Sequence, residues 1–420
     1  MKKPFSAGWA LFILLLTPAA FGSDAEDFID RIDQALTVSA FDDQVRSRLS
    51  GTLDLEGYRL PLPSPALLYS DSRSLFNPRL SLFLDAQFGA RWYLFAQARA
   101  DRGFDPSDAA PRARLDEVAL RFTPWTDSRF NLQIGKFATV VGNWVGRHGS
   151  WENPFISAPL PYENLTGMWD VVPPRSALQL QAWAHVARNS SAALEQDEKS
   201  LRLPLLWGPA YSSGAAVFGQ LGKIDYAAEV KNTALPVRPD LWGRLDELWD
   251  HPSVSARLGY RPSASWNFGV SASRGPYLHS SAAPLLAPGR SFGDYAQTVF
   301  AQDAGFAWHH WQIWAELFHA RFAIPAVGDA RTTACYIEAK YRFTAQFSAA
   351  LRWNQQRFAP LPDGKGGSAL WGRDATRIDF APSYRFTPHL QLKWQSSWLH
   401  NTTGAQHKTV THAAQLTVRF

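Results

Sequence analysis

Apolar and polar side chains alternate in segments of about ten residues, and such segments recur along most of this 420-residue chain. In the segment that ends the chain, Val410, Leu416 and Phe420 share one face of an extended strand, and Gln415 and Thr417 share the other. A tilted strand of this length crosses a membrane, with apolar side chains toward lipid and polar ones toward a lumen. The repetition therefore predicts an all-β fold, an antiparallel transmembrane β-barrel.

The beginning of the chain has the pattern of an export signal. Lys2 and Lys3 precede a short apolar stretch, and Ala20-Phe21-Gly22 then offers a small-x-small cleavage site. The stretch is too short to span a bilayer, so we predict a signal peptide over residues 1–22. Export combined with barrel-forming strands predicts the outer membrane of a Gram-negative bacterium as the location.

The composition agrees with a membrane barrel and excludes some other classes. The chain holds 18 Trp, 12 Tyr and 27 Phe, and aromatic residues form the two interfacial girdles of such barrels. Cys335 is the only cysteine, which excludes an intramolecular disulfide. The formal net charge of +5 is small and comes without a basic run, so no nucleic-acid partner is expected.

Near copies of one strand-end motif mark the shorter connections, at Leu120–Pro124, Tyr341–Thr344 and Tyr384–Pro388. Short turns of this kind are typical of the periplasmic end of a barrel, and the longer Gly/Pro/Asp-rich connections are typical of the extracellular end. On this basis we count about eighteen strands, with about sixteen as the alternative. The larger count includes strands near 167–172 and 176–187, and it requires that 167–172 is a true strand turned by Pro173-Pro174.

A first departure from the alternation lies near the N-terminus. In residues 23–47, Phe28, Ile29 and Ile32 recur at helical spacing among acidic residues. We therefore predict a short periplasmic helix ahead of a barrel that spans residues 48–420. Such a helix could plug the periplasmic mouth, dock a partner or merely precede the first strand.

A second departure is the long irregular stretch 138–166, which is rich in glycine, proline and aromatic residues. Loops of this length are uncommon in compact proteins unless they are functional or disordered. We expect this one to be packed, to fold into the barrel and to narrow the pore as a constriction loop. Its charged or titratable candidates are Arg147, His148 and Glu152.

The segment Leu132–Phe137, followed by Gly142 and this long loop, resembles the strand that precedes the constriction loop in bacterial porins. With the strand-and-turn repeats and the terminal Phe420, the chain after its signal is similar to porins of the roughly 16- to 18-stranded kind. The resemblance implies passive diffusion of small hydrophilic solutes, usually through homotrimers. It also implies that Phe420 is read by the barrel-assembly machinery and that outer-membrane lipid and lipopolysaccharide surround the barrel.

Alternation assigns a set of charged side chains to the lumen, in which basic members outnumber acidic ones. A charge on the lipid face would cost about 2–4 kcal/mol at the membrane midplane, so inward positions are expected for them. The balance indicates a mild preference for anions, and pairs of charges that brace the wall are the alternative for each residue. The predicted pore-lining residues are Arg99, Glu117, Arg121, Lys231, Arg257, Glu316, Glu338, Lys340, Arg352, Asp379 and Lys393.

No catalytic, cofactor or metal site is indicated by the sequence. His148 and His185 have no recognisable serine or aspartate signature nearby, and His309 and His310 lie at a predicted tight turn. We therefore expect a channel and not an enzyme. The first alternative is a barrel scaffold for loop-mediated binding or adhesion, and the second is an outer-membrane hydrolase.

Overall fold

The structure, a computed structural model, describes residues 23–102, 110–185, 199, 202–239, 249–402 and 408–420. The predicted signal peptide over residues 1–22 lies outside these described residues. None of the helices among them is long and apolar enough to cross a membrane.

Strands make up most of the described chain. The α-helices are α1 (Ser23–Ala35), α2 (Leu160–Glu163) and α3 (Ala177–His185). The strands are β1 (Thr37–Ala40), β2 (Val45–Arg59), β3 (Ser74–Phe88), β4 (Trp92–Asp101), β5 (Arg112–Phe122), β6 (Asn131–Phe137), β7 (Ser212–Leu221), β8 (Ile224–Lys231), β9 (Ser253–Tyr260), β10 (Trp266–Pro276), β11 (Ala296–Trp308), β12 (Trp311–Ile324), β13 (Gly328–Arg342), β14 (Phe347–Phe358), β15 (Pro360–Pro362), β16 (Ser368–Leu370), β17 (Ala375–Arg385), β18 (Leu390–Asn401) and β19 (Lys408–Arg419).

The strands close into a barrel. Seventeen of them belong to one antiparallel sheet, and because β1 pairs only with β2, sixteen form the closed wall. The last strand returns to the first long one, with Leu416 of β19 beside Leu55 of β2. Strands β15 and β16 form a separate small hairpin. The predicted antiparallel barrel is confirmed, and of the two expected strand counts the wall has the smaller.

Residues 167–172 and 176–187, which were expected to be strands, are not part of the wall. Within the first segment Trp169 makes an isolated bridge to Arg202, and most of the second forms helix α3. Both lie in the long connection between β6 and β7. Since both are absent from the wall together, the number of wall strands stays even.

The second of these segments is helical for local reasons. The Ser176 hydroxyl accepts a hydrogen bond from the backbone nitrogen of Gln179 at 3.1 Å, as an N-capping serine does. Alanine, leucine and glutamine, which follow, are favourable in helices. Leu180 is completely buried, in a cluster with Met168. A Leu-Gln-Leu-Gln alternation of a few residues fits a helix as well as a strand, and burial inside the barrel decides between them.

The outer wall carries a belt of exposed apolar side chains, which is stable only against lipid. Ile134 and Leu351, for example, are 57% and 55% exposed. Aromatic pairs near the short turns form a girdle below this belt, such as Trp311 with Tyr341, whose ring centroids lie 4.7 Å apart. The barrel therefore spans the outer membrane. Members of the belt include Leu53, Leu80, Leu84, Leu120, Ile134, Val254, Leu258, Val270, Ile337, Leu351 and Ile378.

The expected N-terminal helix is present as α1, and it lies against the rim that carries the chain ends and short turns. Asp33 forms an ion pair with Arg48 of β2 at 2.9 Å. Asp30 lies 2.9 Å from the imidazole of His389, in the turn between β17 and β18. By the usual orientation of such barrels this rim is periplasmic. The helix thus contacts the barrel near the seam between its first and last wall strands.

Candidate permeation pathway

Residues 138–166, the first part of the connection between β6 and β7, lie inside the barrel. The Glu316 carboxylate on β12 accepts hydrogen bonds from the backbone nitrogens of Asn143 and Trp144, the latter at 3.1 Å. It also accepts one from the Tyr162 hydroxyl at 2.7 Å. Charge-assisted bonds of this kind are stronger than neutral ones, so they hold the loop firmly to the far wall. The predicted inward fold of residues 138–166 is confirmed.

Gly142 makes this close approach possible. Its φ of +80° lies in the region that favours glycine. A Cβ at this position would lie 2.5 Å from a Glu316 carboxylate oxygen and 2.5 Å from the Tyr162 hydroxyl. Any other residue would therefore displace the groups that anchor the loop.

The loop fills the side of the lumen that faces β11 to β13. Trp144 stacks on Tyr162 with ring centroids 4.5 Å apart, and Tyr162 meets the edge of Phe318 at 5.7 Å. Tyr336 of β13 belongs to the same buried cluster. This half of the interior is therefore an apolar core, and any aqueous pathway has to run elsewhere. The cluster also contains Val141, Val145, Leu205, Leu206, Ala210, Leu235, Val299, Ala301, Ala320 and Ala334.

The other side of the lumen contains a cavity of about 500 Å³ between the loop and the wall formed by β2 to β5. Arg79, Arg99 and Glu117 line it from the wall, and Arg147 and Glu152 line it from the loop. It extends to Arg48 and Arg419, close to the periplasmic rim. We call this space the lower cavity.

A ladder of alternating charges lies in the wall beside the lower cavity. Arg79 contacts Glu56 at 2.6 Å, and Arg99 contacts Asp116 at 2.8 Å. Arg114 completes the set with a contact to Asp101 at 2.7 Å. Each charge has a partner of opposite sign, which offsets the cost of removing it from water. This first ladder consists of Glu56, Arg79, Asp101, Arg99, Asp116 and Arg114.

A second ladder joins the loop to the opposite wall. Asp379 lies 2.9 Å from Arg352 and 3.0 Å from Arg377. At the two ends, Arg147 and Glu163 come from the loop and pair with wall residues. Removing one partner of a buried pair typically costs about 3–5 kcal/mol, so this ladder braces the loop. Its members are Arg147, Glu338, Arg352, Asp379, Arg377 and Glu163.

The structure brings part of the predicted pore-lining set together and uses the rest to hold the interior. Of the predicted residues, those that line the lower cavity are Arg99, Glu117, Arg147, His148 and Glu152. Glu338, Arg352 and Asp379 belong to the second ladder, and Glu316 anchors the loop. Arg257 on β9 bridges Asp225 at 2.7 Å and Asp303 at 2.8 Å, away from the lower cavity.

The three lysines of the predicted pore-lining set, and Arg121, belong to neither ladder. Lys231 donates to the Phe137 carbonyl oxygen at 2.7 Å, and Lys393 donates to the Asn153 carbonyl oxygen at 3.1 Å, so both hold the ends of loop segments. Lys340 lines a second space near the periplasmic rim. Arg121 stacks over aromatic rings at the same end and donates to Gln133 at 3.1 Å.

Sequence reasoning missed Asp116, which is buried inside the wall. Gln97 of β4 pairs with Glu117 of β5, but the next residue of β4, Ala98, pairs with Leu115, so Asp116 is the extra residue of a β-bulge. Both Asp116 and Glu117 therefore point inward. Strict alternation assigns only one of two neighbours to the lumen. Arg79 was missed as well, and the structure places it inside β3, which begins at Ser74.

His148 is held as a neutral imidazole. Its Nδ1 lies against the Val145 carbonyl oxygen, and its Nε2 lies 2.6 Å from the Tyr211 hydroxyl. A consistent arrangement has Nδ1–H donating to the carbonyl and Nε2 accepting from tyrosine. Burial inside the barrel lowers the pKa of His148 to about 4. The His148 imidazole therefore adds no charge to the cavity wall at neutral pH.

A closed barrel of sixteen antiparallel strands with a lipid-facing apolar belt and an inward loop is an outer-membrane porin-type β-barrel. No protein-family model and no curated protein matches the chain.

Several solved structures have a similar fold. The outer membrane channel DcaP of Acinetobacter baumannii matches with a TM-score of 0.55 and 9% identity, over 91% of this chain and 100% of that chain. OmpF of Salmonella typhi, solved with daunomycin, matches with a TM-score of 0.54 and 11% identity, over 91% and 100%. An anion-selective porin from Comamonas acidovorans matches with a TM-score of 0.52 and 9% identity, over 90% and 100%. At these identities the similarity is one of fold.

Proposed function

We propose that the protein is an outer-membrane channel for passive diffusion of small hydrophilic solutes. The observation that carries this proposal is the lower cavity of about 500 Å³, which is lined by charged side chains and extends to the periplasmic rim. A wall of sixteen strands is too wide for its own side chains to fill, so an inward loop is what sets the size of the passage. The similar folds of porins agree with this function.

We also propose a mild preference for anions. Five arginines line the lower cavity, against four carboxylates, and His148 is neutral there. They are Arg48, Arg79, Arg99, Arg147 and Arg419 against Asp54, Glu117, Glu152 and Glu163. Nearer the rim, a space of about 260 Å³ is lined by Lys340, Arg342 and Arg385, with no carboxylate among its lining residues. Lumen charge sets the selectivity of such pores.

Reconstitution into planar bilayers tests both proposals. We expect stable ion-conducting steps and, in a KCl gradient, a reversal potential displaced toward the chloride equilibrium potential. Lys340→Gln is expected to reduce this displacement, whereas Lys365→Gln, at an exposed position outside the pathway, should leave it unchanged. Absence of steps from correctly folded protein would refute the channel, and cation selectivity would refute the anion preference.

We propose no catalytic role for the histidines. His148 is held between Val145 and Tyr211, and His310 lies in the β11–β12 turn with Nδ1 2.7 Å from the Arg342 carbonyl oxygen. Adhesion by the extracellular loops and hydrolysis remain the alternatives, and a folded protein that fails to conduct would favour them.

The partners that we propose follow from the same architecture. The barrel is expected to form homotrimers, since porins usually do, and chemical cross-linking in native membranes would reveal a trimer or contradict it. We further propose that Phe420 is read by the barrel-assembly machinery. Its backbone pairs with that of Gly51 at 2.9 and 3.0 Å, at the seam where the barrel closes.

A further inference from the structure

Three cavities follow one another from the periplasmic rim toward the extracellular side. Above the lower cavity lies a middle cavity of about 40 Å³, and above that an outer cavity of about 160 Å³. The lower and middle cavities share Tyr58, Leu68 and Glu163 in their linings. The middle and outer cavities share Ala66 and Asn164. A pathway through the barrel on this side therefore narrows at the middle cavity.

The middle cavity is too small for a solute. Its volume of about 40 Å³ leaves room for no more than a few water molecules. Apolar groups contribute to the narrowing, since Leu68 and Ile156 pack on the cluster of Tyr58 and Leu60. Apolar constrictions of this kind close channels by excluding water.

Two chain segments face each other across this narrow point, and they are held very differently. One is 157–164 of the constriction loop. Its Ser157 carbonyl oxygen accepts from Arg352 at 3.1 Å, and its Leu160 backbone nitrogen donates to Asn354 at 3.2 Å. Glu163 is paired with Arg377 as well. This segment is therefore fixed to the barrel wall.

The opposite segment, residues 63–68, belongs to the connection between β2 and β3 and was expected to be an extracellular loop. It lines all three cavities: Leu67 and Leu68 the lower, Pro65 and Ala66 the middle, and residues 63–66 the outer. The loop thus bends into the barrel and reaches the narrow point from above.

Lys199, from the β6–β7 connection, holds this segment in place. Its ammonium donates to the Ser64 carbonyl oxygen at 2.9 Å, to the Ser64 hydroxyl at 3.3 Å and to the Ala66 carbonyl oxygen at 3.0 Å. A further contact reaches the Leu68 carbonyl oxygen. The lysine is 6% exposed, and four of its contacts reach this one short turn of chain.

We propose that residues 63–68 are the gate of the pathway and that Lys199 holds this gate closed. The inference rests on the proposed channel function. Release of the lysine contacts frees the segment to move toward the extracellular side, which joins the middle cavity to the spaces above and below it. The fixed segment 157–164 then forms the far wall of the open passage.

Single-channel recording of the full-length protein tests the gate. In Lys199→Met the side chain keeps its length and loses its donors, and Leu68→Ala enlarges the narrow point with the lysine intact. For both we expect a conductance at least about twofold above that of the natural protein. Lys199→Arg keeps a charged donor and is expected to restore the natural value.

Lys223→Met is the matched control, because Lys223 also donates to a carbonyl oxygen, that of Pro262 at 2.8 Å, but at the exposed periplasmic rim. Folding is checked by the heat-modifiable mobility of each protein. Equal conductance of the natural protein and all variants would overturn the gate and leave the channel standing. If no folded variant conducts, both the gate and the channel function are refuted.

Discussion

At the scale of single residues, the role of a charged side chain inside this barrel depends on its surroundings. Arg352 has no exposed side-chain surface, and it lies 2.9 Å from Asp379 and 3.7 Å from Glu338. Arg99 has the same inward direction but reaches the lower cavity. Both satisfy the rule that charges avoid the lipid face. Only the second lines the lower cavity, whereas the first holds the loop.

The lowered pKa of His148 predicts a pH dependence of stability at this scale. In the unfolded chain a histidine titrates near its ordinary pKa of about 6.5, whereas burial lowers the folded value to about 4. Between these values the unfolded chain binds a proton that the folded chain does not, so stability is present above about pH 6.5 and is lost toward pH 4.

We expect His148→Gln to weaken this dependence, because glutamine does not titrate. The midpoint of guanidinium unfolding in detergent, followed by tryptophan fluorescence at about pH 7 and about pH 5, measures the effect. His309→Gln, at an exposed turn, is the control. If the natural protein and His148→Gln lose the same stability between the two pH values, the assignment is wrong.

At the scale of elements, strand β6 shows how tightly neighbouring strands approach. Gly135 has a φ of +141° and lies opposite Gly214 of β7. A Cβ on Gly135 would come within 2.2 Å of the Val118 carbonyl oxygen and 2.7 Å of the Ala119 Cα. Gly135, in the segment Leu132–Phe137 that resembles porin strands, is therefore required by backbone packing just ahead of the inward loop.

Gly135→Ala is expected to reduce the yield of folded barrel strongly. Overpacking alone typically costs about 1–3 kcal/mol, and the unfavourable φ adds to this. The fraction of protein that shows heat-modifiable mobility after refolding is the measurement. Gly57→Ala in β2 is the matched control, since a Cβ there meets nothing within 4 Å. Equal yields for both variants would contradict the packing argument.

At the scale of the whole molecule, closing the barrel and filling its interior are done by different parts of the chain. The barrel closes where β19 meets β2. There the Phe420 nitrogen donates to the Gly51 carbonyl oxygen at 3.0 Å, and the Phe420 carbonyl oxygen accepts from the Gly51 nitrogen at 2.9 Å. The interior is then filled by the β6–β7 connection, which is fixed to β12, β13 and β17 through Glu316 and the second ladder. What remains is the series of cavities along one side.

Deletion of Phe420 distinguishes its recognition by the barrel-assembly machinery from its part in closing the seam between β19 and β2. If the barrel-assembly machinery reads this residue, we expect much less assembled protein in the outer membrane of cells and little change in refolding into detergent. Phe420→Tyr, which keeps the aromatic ring, is expected to assemble normally. Equal losses in cells and in detergent would assign Phe420 to closure of the seam, and no loss in cells would refute its recognition.

The sequence alone was sufficient for the class of fold and for much of its orientation. Lipid outside and polar groups inside impose a period of two on every wall strand, so the pattern from Val410 to Phe420 recurs around the barrel. The same rule predicts inward positions for Glu316, Arg352 and Lys393, which are buried in the structure. Helical spacing likewise indicated α1. These are local consequences of a uniform environment.

Only the tertiary structure decided what the interior does. Residues 176–187 alternate like a strand, yet the described part, up to His185, lies inside the barrel, where burial of Leu180 favours a helix. The bulge at Asp116 and the contacts of Lys199 with residues 63–68 join positions far apart in the chain. No local pattern encodes such pairings, because each depends on which segments the closed wall brings face to face.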